Sequence, residues 1–171
     1  FIANFENLMK VAKGKIELVY TYDDVAMQNG LLMSPRMWKK FIVPRHQRLN
    51  QVIKDHGVRI MYHSCGAVYP IIGDLIDLLH IDILNPLQPR AKDMDMQKIK
   101  NEFGNRIAFH GGVDLQHTLP YGTQQEVTDE VTGLCRVLGK GGGYICTSAH
   151  YIQADVPVEN ILAMYLTPRE V

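Results

Sequence analysis

The sequence predicts a parallel α/β fold. Three observations carry this: β-branched runs of strand length alternate with amphipathic helical stretches, the connections are a few residues long, and polar and glycine-rich residues gather just after the strands. Residues 16–22 read as the first strand. Residues 34–56 form a helical region with Ser34 as cap and Pro35 in its first turn, and Pro44 inside it predicts a kink or split. Gly57 stops that helix and residues 58–63 form the next strand. Residues 70–79 carry Ile71, Ile72, Leu75, Ile76, Leu78 and Leu79, an apolar face broad enough to imply burial. A short strand follows at 81–85.

Residues 94–103 predict a helix with Met96, Ile99 and Phe103 on one side, closed by Gly104, and residues 106–109 a fourth strand. Thr123 and Glu126 stand at capping-box spacing, and Val127, Val131, Leu134 and Leu138 make the buried stripe of the helix that runs to Gly139. Residues 141–148 read as a fifth strand entered through three glycines, and residues 157–165 as a last helix that starts on proline.

Composition narrows the function. The 171 residues carry 18 Lys+Arg against 18 Asp+Glu, so the zero net charge supplies no electrostatic footprint for nucleic acid or an anionic membrane. No apolar run approaches the roughly 20 residues of a membrane span. Three cysteines, at 65, 135 and 146, cannot close a disulfide set and point to a reducing, cytoplasmic setting with thiols available for metal or packing. Residue 1 is Phe and no leader pattern follows it, so the chain is expected to be a fragment. Periodicity alone leaves a doubly wound sheet and a (βα)8 barrel both open, since a barrel typically needs about 250 residues.

In either architecture chemistry gathers at the C-terminal strand edge. His63-x-Cys65 ends a strand, and alternation along an extended chain lets both side chains reach one ion. A packed cysteine beside a hydrogen-bonded histidine is the competing reading. Asp23-Asp24 closes the first strand, where one carboxylate suits acid/base work and the other a cap or a substrate contact. Gln88 can orient a polar ligand or satisfy loop backbone. Gly111-Gly112-Val113-Asp114 allows backbone to approach a ligand, with Gly112 N–H as an anion contact and Asp114 as the stronger functional residue. His110 and His117 read as solvated or structural, Cys135 as packing, and His46, His56 and His80 are given no role.

Taken in order, several segments resemble the C-terminal part of the uroporphyrinogen decarboxylase superfamily, which also contains cobalamin-dependent methyltransferases. They are Tyr22-Asp23-Asp24 with Gln28 and Met33-Ser34-Pro35, His63-Ser64-Cys65-Gly66, Asn85-Pro86-Leu87-Gln88-Pro89, Phe103-Gly104-Asn105-Arg106, Gly111-Gly112-Val113-Asp114 with Gln116, and Gly141-Gly142-Gly143-Tyr144-Ile145 through His150 to Pro157-Val158-Glu159-Asn160-Ile161. The resemblance implies a TIM barrel of which this chain supplies the C-terminal five βα units as a single partial domain, 1–171, with the N-terminal units missing. Five units leave open sheet edges, which a missing segment or a second copy in a homo-oligomer would cover.

The resemblance also implies zinc. Zinc-dependent methyltransferases of the superfamily hold metal through an H-x-C after one strand and a cysteine after the last; here the last position is His150, with Cys146 four residues earlier as the reserve ligand. His63, Cys65 and His150 as metal ligands, Asp24, Asp23 and Asp114 as catalytic groups, and Gln88, Gly112 and Gln28 as substrate contacts follow as expectations. The leading functional expectation is a zinc-assisted transfer of a methyl group between a small-molecule substrate or thiol and a corrinoid (cobalamin) carried on a partner protein. Uroporphyrinogen decarboxylase is the runner-up. It is disfavoured because that branch normally lacks the H-x-C and its arginine-rich substrate segment is not in this chain. A non-catalytic or truncated binding relative is the third reading.

Overall fold

The computed structural model describes residues 1–168. Five strands, β1 (Leu18–Tyr22), β4 (Arg59–His63), β5 (Ile83–Leu87), β6 (Ala108–Val113) and β7 (Tyr144–Ser148), form one sheet in the order β1-β4-β5-β6-β7, every neighbouring pair parallel. This order never reverses. A doubly wound sheet turns back at a switch point, whereas a barrel wall adds each new strand to the same edge, so the topology is that of a partial TIM barrel.

Burial shows which side of the wall is covered. Ile60, Tyr62, Leu84 and Phe109 are fully buried on one face under α3 (Val43–Asp55), α4 (Ile72–Leu79) and α7 (Gln124–Leu138), whose Ile53, Ile72, Leu75, Leu79, Val127 and Val131 complete the core. Alternate residues point the other way. Leu18, Tyr20, Tyr22 and Ile145, on the concave face, remain 40–70% exposed. A two-stranded hairpin, β2 (Ala26–Met27) with β3 (Gly30–Leu31), sits beyond β1. No helix among the described residues is long and apolar enough to cross a membrane.

Several boundaries differ from expectation for identifiable reasons. Helix α1 (Ile2–Ala12) was not foreseen; it buries Phe5 and Met9, with Phe5 edge-on to His56. The helical region divides at Ile42 into α2 (Pro35–Phe41) and α3, so Pro44 opens α3 in its first turn, where a missing N–H costs nothing. Ser34 caps α2 by accepting from the Met37 N–H, and α7 has the complete Thr123/Glu126 capping box. Helix α5 (Met96–Phe103) starts on an Asp95 cap, and α8 (Val158–Leu166) starts after Pro157. A single turn, α6 (Thr118–Tyr121), lies between β6 and α7.

The change that matters for the site is in β6. The strand runs to Val113, four residues beyond the expected end, because Gly111 and Gly112 adopt φ of 103° and 101° and still pair with Cys146 and Thr147 of β7. His110 therefore lies in a strand, not in a loop.

Candidate metal centre at the strand ends

The strand ends bring part of the expected set together. The ligand atoms of His63, Cys65 and His150 all lie within 4.8 Å of one another, with Cys65 Sγ 3.3 Å from His63 Nε2. In a tetrahedral zinc site the N···S and N···N edges are about 3.3–3.6 Å, so His63 and Cys65 stand at ligating separation and His150 lies within reach of both. The His150 ring meets His63 edge-on at 5.7 Å between centroids, and Ser148 Oγ donates to the His150 carbonyl to hold that loop. Two imidazoles, one thiol and a side left open to a hollow of about 560 Å³ fit a zinc ion with an exchangeable fourth position.

The loop that carries Cys65 is clamped from three directions. The Ser64 N–H donates to the Asn85 carbonyl, the Cys65 N–H to Asp24 Oδ1 at 3.0 Å, and the Gly66 N–H to Gln88 Oε1 at 2.7 Å. Gly66 has φ 88°, and a Cβ there would stand 2.7 Å from the Met27 carbonyl oxygen. Since the obstacle is backbone, Gly66→Ala is expected to cost about 2–3 kcal/mol and to weaken metal binding with it. Gly57→Ala, also at positive φ but facing open space, is the control and should cost about 1 kcal/mol. Melting curves and zinc titrations of both variants check this; equal effects would refute the clamp.

Burial, then the neighbouring Asp24 carboxylate, push the Cys65 thiol up to about 11. In metal-free protein the thiol is protonated at neutral pH, and the nucleophile is the thiolate. Alkylation of Cys65 followed by peptide mapping is thus expected to accelerate about tenfold per pH unit from 7 to beyond 9, where an ordinary thiol levels off near 8.5. A rate already flat at pH 9 would contradict it.

The other expected residues separate. Consecutive residues at a strand end point to opposite sides, so of the two carboxylates only Asp24 faces the metal ligands, with Oδ1 3.6 Å from His63 Nε2. Asp23 turns to the helix layer and pairs with His46 Nε2 at 2.8 Å; His46, given no role from sequence, anchors it. The Asp114 carboxylate is buried, pairs with Arg90 and accepts from the Gln116 and Thr118 N–H groups. Burial would raise its pKa, but Arg90 and the two amides outweigh that and hold it below the usual carboxylate value. Its lone pairs are occupied in organising the loop after β6.

Gly112 has φ 101°, where an L side chain is strained, and a Cβ there would also stand 3.1 Å from Tyr144 Oη, so glycine is needed here for the backbone conformation. Gln28 offers a shielded Oε1 without a hydrogen-bond partner among the described residues, while its backbone carbonyl accepts from the Lys92 N–H. Gln88 is engaged by Gly66. Cys146 packs with the hydrophobic core and is not in the ligand group, and Cys135 lies buried on α7.

Three further residues line the concave face behind His63. Tyr20 Oη donates to Asn85 Oδ1 at 3.0 Å and lies 2.6 Å from His63 Nδ1; Asn85 Oδ1 is also 2.6 Å from His63 Nδ1, and Asn85 Nδ2 is 2.6 Å from His110 Nδ1. Burial, then the nearby His63, lower the His110 pKa. His110 escaped sequence reading because the expected strand stopped at residue 109, one residue before it. Alternation along β1 puts Tyr20 and Tyr22 on one face, but that this is the face of His63 follows only from the register, Tyr20 with Met61 and Tyr22 with His63.

A one-way parallel wall with helices outside and its polar groups gathered at the C-terminal strand ends defines a barrel of the TIM class. Residues 4–171 match the family model described as Uroporphyrinogen decarboxylase (URO-D), and the chain belongs to that family, whose members are generally enzymes. It is 33% identical over 67 residues to a uroporphyrinogen decarboxylase of Psychromonas ingrahamii (strain DSM 17664 / CCUG 51855 / 37). That segment is 39% of this chain and 18% of the relative, so the match spans less than a fifth of the relative's length.

Proposed function

We propose that this chain carries the zinc-holding part of a methyltransferase that moves a methyl group between a small substrate or thiol and a corrinoid on a partner protein. The observation that supports this most is the convergence of His63, Cys65 and His150 within 4.8 Å at the barrel mouth. Zinc bound there would lower the pKa of a coordinated substrate atom and make it nucleophilic, with the corrinoid as the methyl carrier.

The chain's own residues do the rest. The Cys65 thiolate would contribute negative charge to a bound ion and so moderate its net positive field at the substrate. Asp24 keeps the Cys65 N–H engaged and fixes the thiol over the mouth. The half-open hollow walled by Tyr20, Met61, Tyr151 and Tyr165 offers apolar ring surface to a small organic group, with His110 as its polar contact.

A second reading, decarboxylation of uroporphyrinogen, is favoured by the name of the curated relative and needs no metal. In that reading His63, His110 and Asn85 bind acidic side arms. The two are separated on purified full-length protein by zinc content, by loss of methyl from methylcobalamin in the presence of candidate thiols, and by consumption of uroporphyrinogen. Near-stoichiometric zinc with methyl loss is the expected result. Metal-free protein that turns over uroporphyrinogen would overturn the proposal.

A further inference from the structure

We propose that Asn85 is a positioning residue whose single amide sets the tautomers of two histidines in opposite senses, making His63 a ligand and His110 a donor into the hollow. This deepens the zinc reading above and rests on it for the role of His63.

Asn85 is 7% exposed and held at the centre of the wall, between β4 and β6, and its backbone carbonyl accepts from the Ser64 N–H. Its oxygen meets Tyr20 Oη at 3.0 Å and His63 Nδ1 at 2.6 Å, and its nitrogen meets His110 Nδ1 at 2.6 Å. An amide oxygen only accepts and an amide nitrogen only donates. With the Tyr20 hydroxyl donating to Asn85 Oδ1, Tyr20 Oη can only accept at His63 Nδ1, 2.6 Å away, so both neighbours call for the proton on Nδ1 and leave the Nε2 lone pair facing Cys65 Sγ. By the same logic His110 must present a lone pair at Nδ1, and a neutral imidazole then has its proton on Nε2.

Reversing the amide would satisfy the same contacts with both tautomers exchanged, so the orientation of this one group decides the roles of both histidines. Its nitrogen would face His63 Nδ1 and demand a lone pair there, moving the proton to Nε2 and closing that atom to a metal. In the structure the oxygen faces Tyr20 and His63, which take its two lone pairs, and the nitrogen faces His110, which takes one of its two hydrogens. A metal ligand commonly has its second ring nitrogen fixed by such an acceptor. What is particular to this wall is that the same amide continues to a second histidine lining the hollow, so metal ligation at His63 and the donor offered to a substrate oxygen or nitrogen by His110 are set together.

The test is long-range 1H–15N correlation on 15N-histidine-labelled full-length protein, with and without zinc, paired with zinc titrations. The wild type should show His63 protonated at Nδ1 and His110 at Nε2. Asn85→Asp retains an acceptor for His63, so zinc affinity should stay within about tenfold; it cannot donate to His110, which should move its proton to Nδ1. Asn85→Ala should lose about 10–100-fold in zinc affinity. Wild-type His110 protonated at Nδ1, or an unchanged His110 in Asn85→Asp, overturns the proposal even if zinc binds. Wild type that binds no zinc but shows His110 at Nε2 removes the metal reading and leaves the amide orientation standing.

Discussion

Replacing Phe109 by alanine is expected to lower the unfolding free energy by about 3–5 kcal/mol, the range for emptying a buried aromatic site. Phe109 is fully buried at the middle of β6, in register with Leu84 of β5 on one side and Tyr144 of β7 on the other, on the face covered by α7. Neighbouring strands and a helix cannot all collapse inward to fill the space, so the cavity cost adds to the transfer cost. Since a domain's whole stability is about 5–15 kcal/mol, the melting temperature should fall by about 10 °C or more. Phe109→Leu retains most of the volume and should cost less than half as much. Denaturant titration of the full-length protein reads both, and equal costs would mean that the strand centre repacks freely.

Cys65→Ala is expected to lower zinc affinity at least about 100-fold, beyond the 10–100-fold typical of groups that only support a ligand. The variant deletes one of three donors and the only thiol in the group. Cys146→Ala is the internal control: that side chain packs against the core on the helix side of β7, and its loss should leave zinc affinity within about threefold while costing some stability. Competition titration with a chromophoric chelator distinguishes the variants. Undiminished zinc in Cys65→Ala would remove the metal centre from the site.

Much of the wall was legible because its signals are local. The Thr123/Glu126 box, the Ser34 cap and the stripe Val127, Val131, Leu134, Leu138 depend on residues within one or two turns of each other, and the folded helices follow them closely. The end of β6 was not legible. Two glycines look like a turn in sequence, and only pairing with β7 draws them into a strand at positive φ. The same pairing moved His110 from a loop to the concave face. The monotonic strand order could not come from periodicity either, since a doubly wound sheet and a barrel share the same alternation of elements.

At the site, His63 and Cys65 lie two residues apart, so their shared face is a property of the extended chain and was readable without a fold. Which distant groups meet them was decided by the sheet. His150 approaches because β7 and β4 end at the same rim, 85 residues apart in sequence though their ligand atoms come within 4.8 Å. Asp23 and Asp24 are indistinguishable as residues; strand alternation at the rim sends one to His46 and the other to Cys65. By itself the sequence determined the element types, the core stripes and the H-x-C pair, which are short-range consequences of side-chain spacing. Only the tertiary structure decided the barrel order, the third donor and the Tyr20–Asn85–His110 contacts behind His63, because strand register alone fixes which side chains from different strands share a face.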